Sequence, residues 1–342
     1  MRYLLVFLFF CSVISCDETQ QRIAFTTVSI EPVYEDSLSI RAITFLDSNT
    51  LSFAANKGTY GTVDLESGKV RTNVEKYHTL IPEYRAIATN KADFFMLSIG
   101  NPALLYKTGD NGKMDLVYME EGEGVFYDAI AFWNADEGIA VGDTVDGCIS
   151  ITITRDGGFT WTKLDCQQLP KSIGGEGAFA ASNTNIEVFG NDTWVATTKR
   201  ILYSPDKGKT WEAITTPVRT VAESEGIFSI DFHDKNLGIA VGGDFTKPEG
   251  NLRNKAITSD GGKTWSLIAD GNDPGYKSCI QFVPGGGGKE IVAIGFTGIS
   301  YSKDSGAQWK TLSEEGFYTL RFLNDTVAYA AGKNRISKLT FK

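Results

Sequence analysis

The phrase TRDGGFTW, Thr154 to Trp161, returns along the chain as SPDKGKTW (Ser204 to Trp211), TSDGGKTW (Thr258 to Trp265) and SKDSGAQW (Ser302 to Trp309). Its aspartates, Asp156, Asp206, Asp260 and Asp304, are spaced 50, 54 and 44 residues apart. Two looser copies carry the beat toward the N-terminus: TGDNGKMD with Asp110 and VDLESGKV with Asp64, each 46 residues before the next. A catalytic group is needed once per site, whereas an architectural turn is needed once per repeat. A phrase repeated at this interval therefore points to structure first. The interval suits a four-stranded unit that cannot bury both faces alone and must stack on its neighbours.

Other segments keep the same rhythm. WNADEGIAVGD (Trp133 to Asp143) and HDKNLGIAVGG (His233 to Gly243) repeat one strand-turn-strand phrase. Ahead of the turns lie SIRAITFL, YRAIAT, FYDAIAF, GAFAAS, IFSIDF, KSCIQFV and FYTLRFL, which supply seven candidate inner strands. No segment sustains a 3.6-residue apolar period, so few helices are expected. The last unit offers three strands before the chain ends, and RIAFTTVSIE (Arg22 to Glu31) is a lone strand before the first inner one. Pairing the two closes the ring and removes its exposed edges. The expected fold is all-β: a seven-bladed β-propeller of four-stranded blades, with the N-terminal strand completing the last blade.

The four phrases match S-x-D-x-G-x-T-W, the Asp-box or bacterial neuraminidase repeat. The resemblance implies that each phrase joins the two outer strands of a blade, with Asp bonding nearby amides and glycine supplying positive φ. Asp156, Asp206, Asp260 and Asp304 are then structural. Over residues 22–342 the chain resembles the photosystem II stability/assembly factor propellers, which implies partner recognition without catalysis. Sialidases share the repeat and set the alternative, a carbohydrate-active or carbohydrate-binding propeller. Their Arg-Ile-Pro phrase is missing; the nearest position reads Ser39-Ile40-Arg41. PGGGGKEIVAIG (Pro284 to Gly295) precedes a strand and so lacks the strand-to-helix context of a dinucleotide site.

A net charge of -9 and a pI near 4.9 argue against nucleic acid as the main partner. The two histidines, His78 and His233, share no ligand spacing, and neither a metal nor a cofactor is expected. The opening MRYLLVFLFFCSVISC reads as a short secretory signal ending in a lipobox. Residues 1–15 are then the signal peptide, Cys16 the lipidated first residue of a mature bacterial lipoprotein, 16–21 a tether, and 22–342 one propeller domain. That places the protein in the cell envelope, anchored to a membrane on its periplasmic or surface side. Cys148 and Cys166 flank one Asp-box and are candidates for a disulfide; Cys279 reads as a buried thiol.

In a propeller, ligands bind where the inner strands begin. Arg41, Arg85 and Asp128 hold matching positions on three consecutive blades, Tyr318 on the last, with Ser278 and Phe228 on two others. Tyr84, Tyr127 and Tyr276 lie near the same face. Glu-Gly recurs just upstream at Glu123, Glu176, Glu225 and Glu315, either as an acidic rim or as a solvated tight turn. Arg41, Arg85, Asp128, Tyr318, Tyr127 and Glu176 are the expected binding residues, for a protein partner or, in the alternative, a glycan.

Overall fold

The computed structural model describes residues 23–342, so the signal segment, Cys16 and the whole of the tether lie outside the described residues. Apart from two single-turn 3-10 helices, Asp110–Gly112 and Cys166–Gln168, the regular elements are all strands. Five antiparallel sheets have four strands each, and a sixth sheet has seven. The four-stranded sheets begin at Tyr84–Thr89, Tyr127–Phe132, Ile186–Phe189, Glu225–Phe232 and Cys279–Phe282.

The seven-stranded sheet is built around the first strand, Val28–Phe45. Its residues 28–39 pair with the C-terminal strand Lys333–Phe341, and residues 40–45 pair with Thr50–Ala55. The expected closure by the N-terminal segment is present. The closing strand and the first inner strand are, however, one continuous run of 18 residues, bent by irregular pairing between Pro32 and Tyr34 and between Glu35 and Ser39. The first strands of successive sheets abut one another, and Thr319–Phe322 abuts Val28–Phe45, so the sheets form a cycle about one axis.

Each sheet is covered on both faces, which is why its central strands read as nearly unbroken apolar runs. In GIAVG, Ile139 and Val141 pack toward Val195 and Leu202 of the next sheet, while Ala140 packs toward Phe95 and Leu97 of the preceding one. Fully burying an Ile or Val side chain contributes about 1.5–3 kcal/mol, and every sheet repeats the pattern.

The Asp-boxes join third to fourth strands at the rim. In the first, Asp156 Oδ1 accepts from the Thr154 hydroxyl (2.8 Å) and the Thr160 N–H (2.9 Å), and Thr160 Oγ1 donates to Oδ2 (2.6 Å). The same bonds recur at Asp206 and Asp260; at Asp304, where Gln308 replaces threonine, the backbone and serine bonds remain. Each tryptophan Nε1 donates back to the turn glycine's carbonyl. The turn glycine also seats on the preceding sheet: a Cβ on Gly158, whose φ is +86°, would lie 2.3 Å from Phe95. Cys148 and Cys166 form a disulfide with Cα atoms 5.6 Å apart, and Cys279 is a fully buried thiol.

One expected inner strand is absent. GAFAAS, residues 177–182, is irregular, and the sheet starts instead at Ile186–Phe189. Residues 178–185 run into the axis and bond to the surrounding sheets. Asn183 accepts from Ile130 N–H (3.0 Å) and donates to Ile87 C=O (2.8 Å). Ser182 donates to Ser278 C=O (2.6 Å) and accepts through its own carbonyl from Thr319 (2.9 Å), and Thr184 donates to Ser229 (2.7 Å). This plug bonds groups on the inner strands of five surrounding units, and a separate cavity lies at each end of those strands.

Candidate functional site

The mouth at the start of the inner strands is a cavity of about 500 Å³. Its floor is Ala178–Ala181 of the plug, and its walls include Arg41, Arg85, Phe228, Tyr276 and Tyr318. A common device aims these side chains inward. The pairing register shifts by one residue at Arg41, Arg85, Asp128 and Phe228, making each the extra residue of a β-bulge at the start of its inner strand. A bulge bends the strand and re-aims the side chain it frees. The partner strand must come close at that point: a Cβ on Gly142 would lie 2.2 Å from Phe126 O, and one on Gly242 only 1.8 Å from Gly226 O. Those glycines end the two GIAVG phrases.

One side of the cavity is aromatic. Phe179 stacks on Phe228 with ring centres 3.7 Å apart, Tyr276 meets Phe228 edge-on at 4.8 Å, and Phe296 lies 5.1 Å from Tyr276. The other side is cationic. Arg85 pairs with Glu83 at 2.7 Å. Arg41 lies over the Tyr318 ring at 4.1 Å; among the described residues the guanidinium's one hydrogen bond goes to Ala181 C=O at 3.4 Å, and its buried Nε has no partner. Among the described residues no carboxylate pairs with Arg41. Burial first, and then the Arg85 charge, pull its pKa below the usual arginine value.

Two carboxyl groups sit beneath this pair. Asp143 lines the cavity and accepts from Ala178 N–H at 2.8 Å, with its pKa raised by burial. Asp128 is fully buried, its carboxyl in no ion pair among the described residues and met by the Ala180 backbone amide. Burial, then the Asp143 charge, push its pKa well up against the opposing pull of Arg85.

Of the expected binding residues, the structure brings Arg41, Arg85 and Tyr318 together, with Phe228 and Tyr276 beside them. The other three stand elsewhere. Asp128 occupies the matching bulge but is sealed below the floor. Tyr127 turns between sheets, its hydroxyl donating to Glu120 (2.8 Å) and bonding Thr152 (2.7 Å). Glu176 is held by Arg200, Nε to Oε1 at 2.9 Å and Nη2 to Oε2 at 3.0 Å, and also accepts from Thr197. Tyr84 is likewise packed between sheets. Glu176, Glu225 and Glu315 neither line the axial cavity as an acidic rim nor all lie solvated at turns: Glu176 and Glu225 are buried, Glu225 opens a strand and pairs with Arg219, and Glu315 pairs with Arg335. The residues missed were Phe245 and Phe296, 44% and 43% exposed beside the aromatic wall. Phe296 is flagged in sequence by its place straight after the IVAIG strand.

The opposite mouth, where the inner strands end, is a separate cavity of about 390 Å³ lined by Phe45, Asp231, Gln281, Arg321 and Phe322. Asp231 Oδ2 accepts from Phe282 N–H at 2.5 Å, and Arg321 donates to Asn183 C=O at 3.1 Å. Burial, then the Asp231 charge, raise the pKa of Glu187. Among the described residues, no group of three or more His, Cys, Asp or Glu is placed to hold a metal.

A structure of YCF48 bound to D1 peptide superposes on this architecture with a TM-score of 0.66 over 94% of this chain and 96% of that one, at 13% identity. The chain is a β-propeller similar in fold to YCF48. YCF48 from Cyanidioschyzon merolae matches this propeller at 0.62 and 14% identity, over 92% and 98% of the two chains. The WD40 repeats of RRP9 match it at 0.65 and 9% identity, over 93% and 100%. The Sortilin-Vps10 family model (sortilin, neurotensin receptor 3) matches residues 149–279, a stretch that holds Asp156, Asp206 and Asp260. No curated protein matches the sequence. At these identities the likeness is one of fold.

Proposed function

We propose that this protein is a non-catalytic propeller scaffold that recognises a protein partner at the mouth where its inner strands begin. The observation that carries the reading is Arg41. A bulge aims a guanidinium into a half-enclosed aromatic cavity, where among the described residues it makes one long hydrogen bond and no ion pair. Guanidinium hydrogen bonds to a carboxylate are strong and directional, so an incoming acidic side chain or chain terminus completes the site. The D1 peptide seen on YCF48 shows that a fold of this kind takes a peptide ligand. We read the architecture as seven blades, the seven-stranded sheet being two four-stranded blades that share Val28–Phe45. We also propose that Cys16 carries a lipid anchor and that the scaffold works in the bacterial cell envelope; the support is the lipobox and the disulfide, a bond favoured outside the cytoplasm.

A glycan reading has one observation in its favour, the acidic side chains Asp231 and Glu187 near the opposite mouth, but the sialidase arginine triad does not assemble. Arg41 and Arg85 share one mouth, and Arg321 lies in the other, across the plug. The test is affinity capture from native membranes with the wild-type chain and with Arg41→Glu/Arg85→Glu. A protein retained by the first and lost by the second supports the scaffold and its site. Equal retention by both moves the interface elsewhere, and specific retention of glycans instead of protein overturns the reading.

A further inference from the structure

The axial cavity does not end at its aromatic wall. Phe245 belongs to the loop at residues 243–252, and a second cavity of about 420 Å³ lies between that loop and residues 219–225. The two cavities share these loops: Glu223 and Phe245 line the axial one, while Val221, Ala222, Asp244 and Leu252 line the outer one. Local hydrogen bonds tie the loop in place. Asp244 accepts from Thr246 N–H (2.9 Å) and Thr246 Oγ1 (2.6 Å), and Pro248 C=O accepts from Tyr276 N–H (2.8 Å), tying the outer wall to the aromatic wall.

Three large apolar side chains stand out along this path: Val221 at 78%, Leu252 at 61% and Phe245 at 44% exposed. Isolated exposed apolar residues are ordinary, but a row of them leading away from a concave site marks a contact surface. The charge pattern runs with it. Among the described residues Arg41 pairs with no acid at the axis; in the outer cavity Arg219 pairs with Glu225 at 2.9 Å, and the exposed Lys247 is a second cation on that wall.

Resting on the partner-binding reading above, we propose that the partner is engaged as an extended peptide segment that lays an acidic group on Arg41, crosses Phe245, and inserts an apolar side chain between Val221 and Leu252. A second copy of this chain fits poorly, because the groove is concave and two bodies of charge -9 repel.

The test is selection of a random-peptide display library on the full chain, followed by binding of the enriched peptides to variants, read by fluorescence anisotropy. Val221 and Leu252 are exposed, so Val221→Asp and Leu252→Asp leave the fold intact, which circular dichroism checks. Enriched peptides are expected to combine an acidic with an apolar residue, and each Asp variant is expected to weaken them about tenfold, the loss of one buried aliphatic contact. Arg41→Gln tests the axial end separately. If it abolishes binding while both Asp variants bind as wild type, the groove is overturned and the axial reading stands. If all three variants bind as wild type, or no peptide is enriched, both are overturned. A dimer in sedimentation that Leu252→Asp disperses makes the occupant a second copy, and likewise overturns the proposal.

Discussion

Asn183→Ala tests whether the plug holds the axis together. The Asn183 amide spans two neighbouring sheets, accepting from Ile130 N–H and donating to Ile87 C=O, in a site 9% exposed. Removing it strands one backbone donor and one backbone acceptor, at about 1–3 kcal/mol each. Asn183 also has φ of +56°, a left-handed conformation that alanine adopts at an added penalty of about 1 kcal/mol. The expected loss is about 3–7 kcal/mol, a large share of the roughly 5–15 kcal/mol that holds a typical domain folded. Urea denaturation followed by tryptophan fluorescence reads it, with Asn183→Gly as the partner variant. Glycine removes the conformational part, so it should recover about 1 kcal/mol and leave the hydrogen-bond part lost. A loss below about 1 kcal/mol for Asn183→Ala would refute the reasoning, because the stranded groups would then be solvated and the plug would not be structural.

Gly242→Ala places a Cβ 1.8 Å from Gly226 O, so the bulge at Phe228 has to flatten; a loss of about 2–3 kcal/mol is expected in thermal denaturation, whereas Gly174→Ala, with open space around it, stays within about 0.5 kcal/mol. Asp260 is held down to about 2, chiefly by the Thr264 hydroxyl and amide, against about 3.9 in an unfolded chain. Its contribution is therefore complete above about pH 4 and lost as pH falls through about 2, so the stability gap between wild type and Asp260→Asn should close across that window in acid titration, by less than an enclosed group would show. Reducing the Cys148–Cys166 bond, which spans 18 positions, should lower stability by about 3 kcal/mol in denaturation with and without a phosphine reductant.

The parts of the fold legible in sequence are those fixed by short-range chemistry. An Asp-box works through bonds between residues two to four positions apart, such as Thr154 to Asp156 and Thr160 to Asp156, so its phrase announces its geometry. Arg41 and Arg85 were legible as matching positions because the blades repeat, whereas the bulge opposite the last glycine of GIAVG emerged only from the strand pairing. The plug was not legible. GAFAAS has the small, apolar character of an inner strand, and what makes it a plug is bonding to Arg41, Ile87, Ile130, Ser278 and Thr319, partners 53 to 140 positions away. Glu176 misled for a related reason: its Glu-Gly phrase matches its siblings, while Arg200, 24 positions on, decides where the carboxylate goes.

How polar groups are satisfied separates the frame from the site. The rim aspartates each hold several donors, and Glu176, Glu225 and Glu315 each hold an arginine. Glycines at 177, 226 and 316 let neighbouring sheets close to within contact of their backbones or of Asp143. At the axial mouth, among the described residues, the same chain leaves Arg41 with one long bond and buries Asp128 with no ion pair. Moving a charge out of water without a partner is among the most destabilising things a fold can contain. A glutamine at position 41 would avoid that burden, and the internal frame offers the arginine only the Tyr318 ring and one long bond to Ala181. The bulge presents Arg41 to the cavity instead of tucking it toward an available acid, and the missing bond therefore points outward, toward whatever the cavity receives.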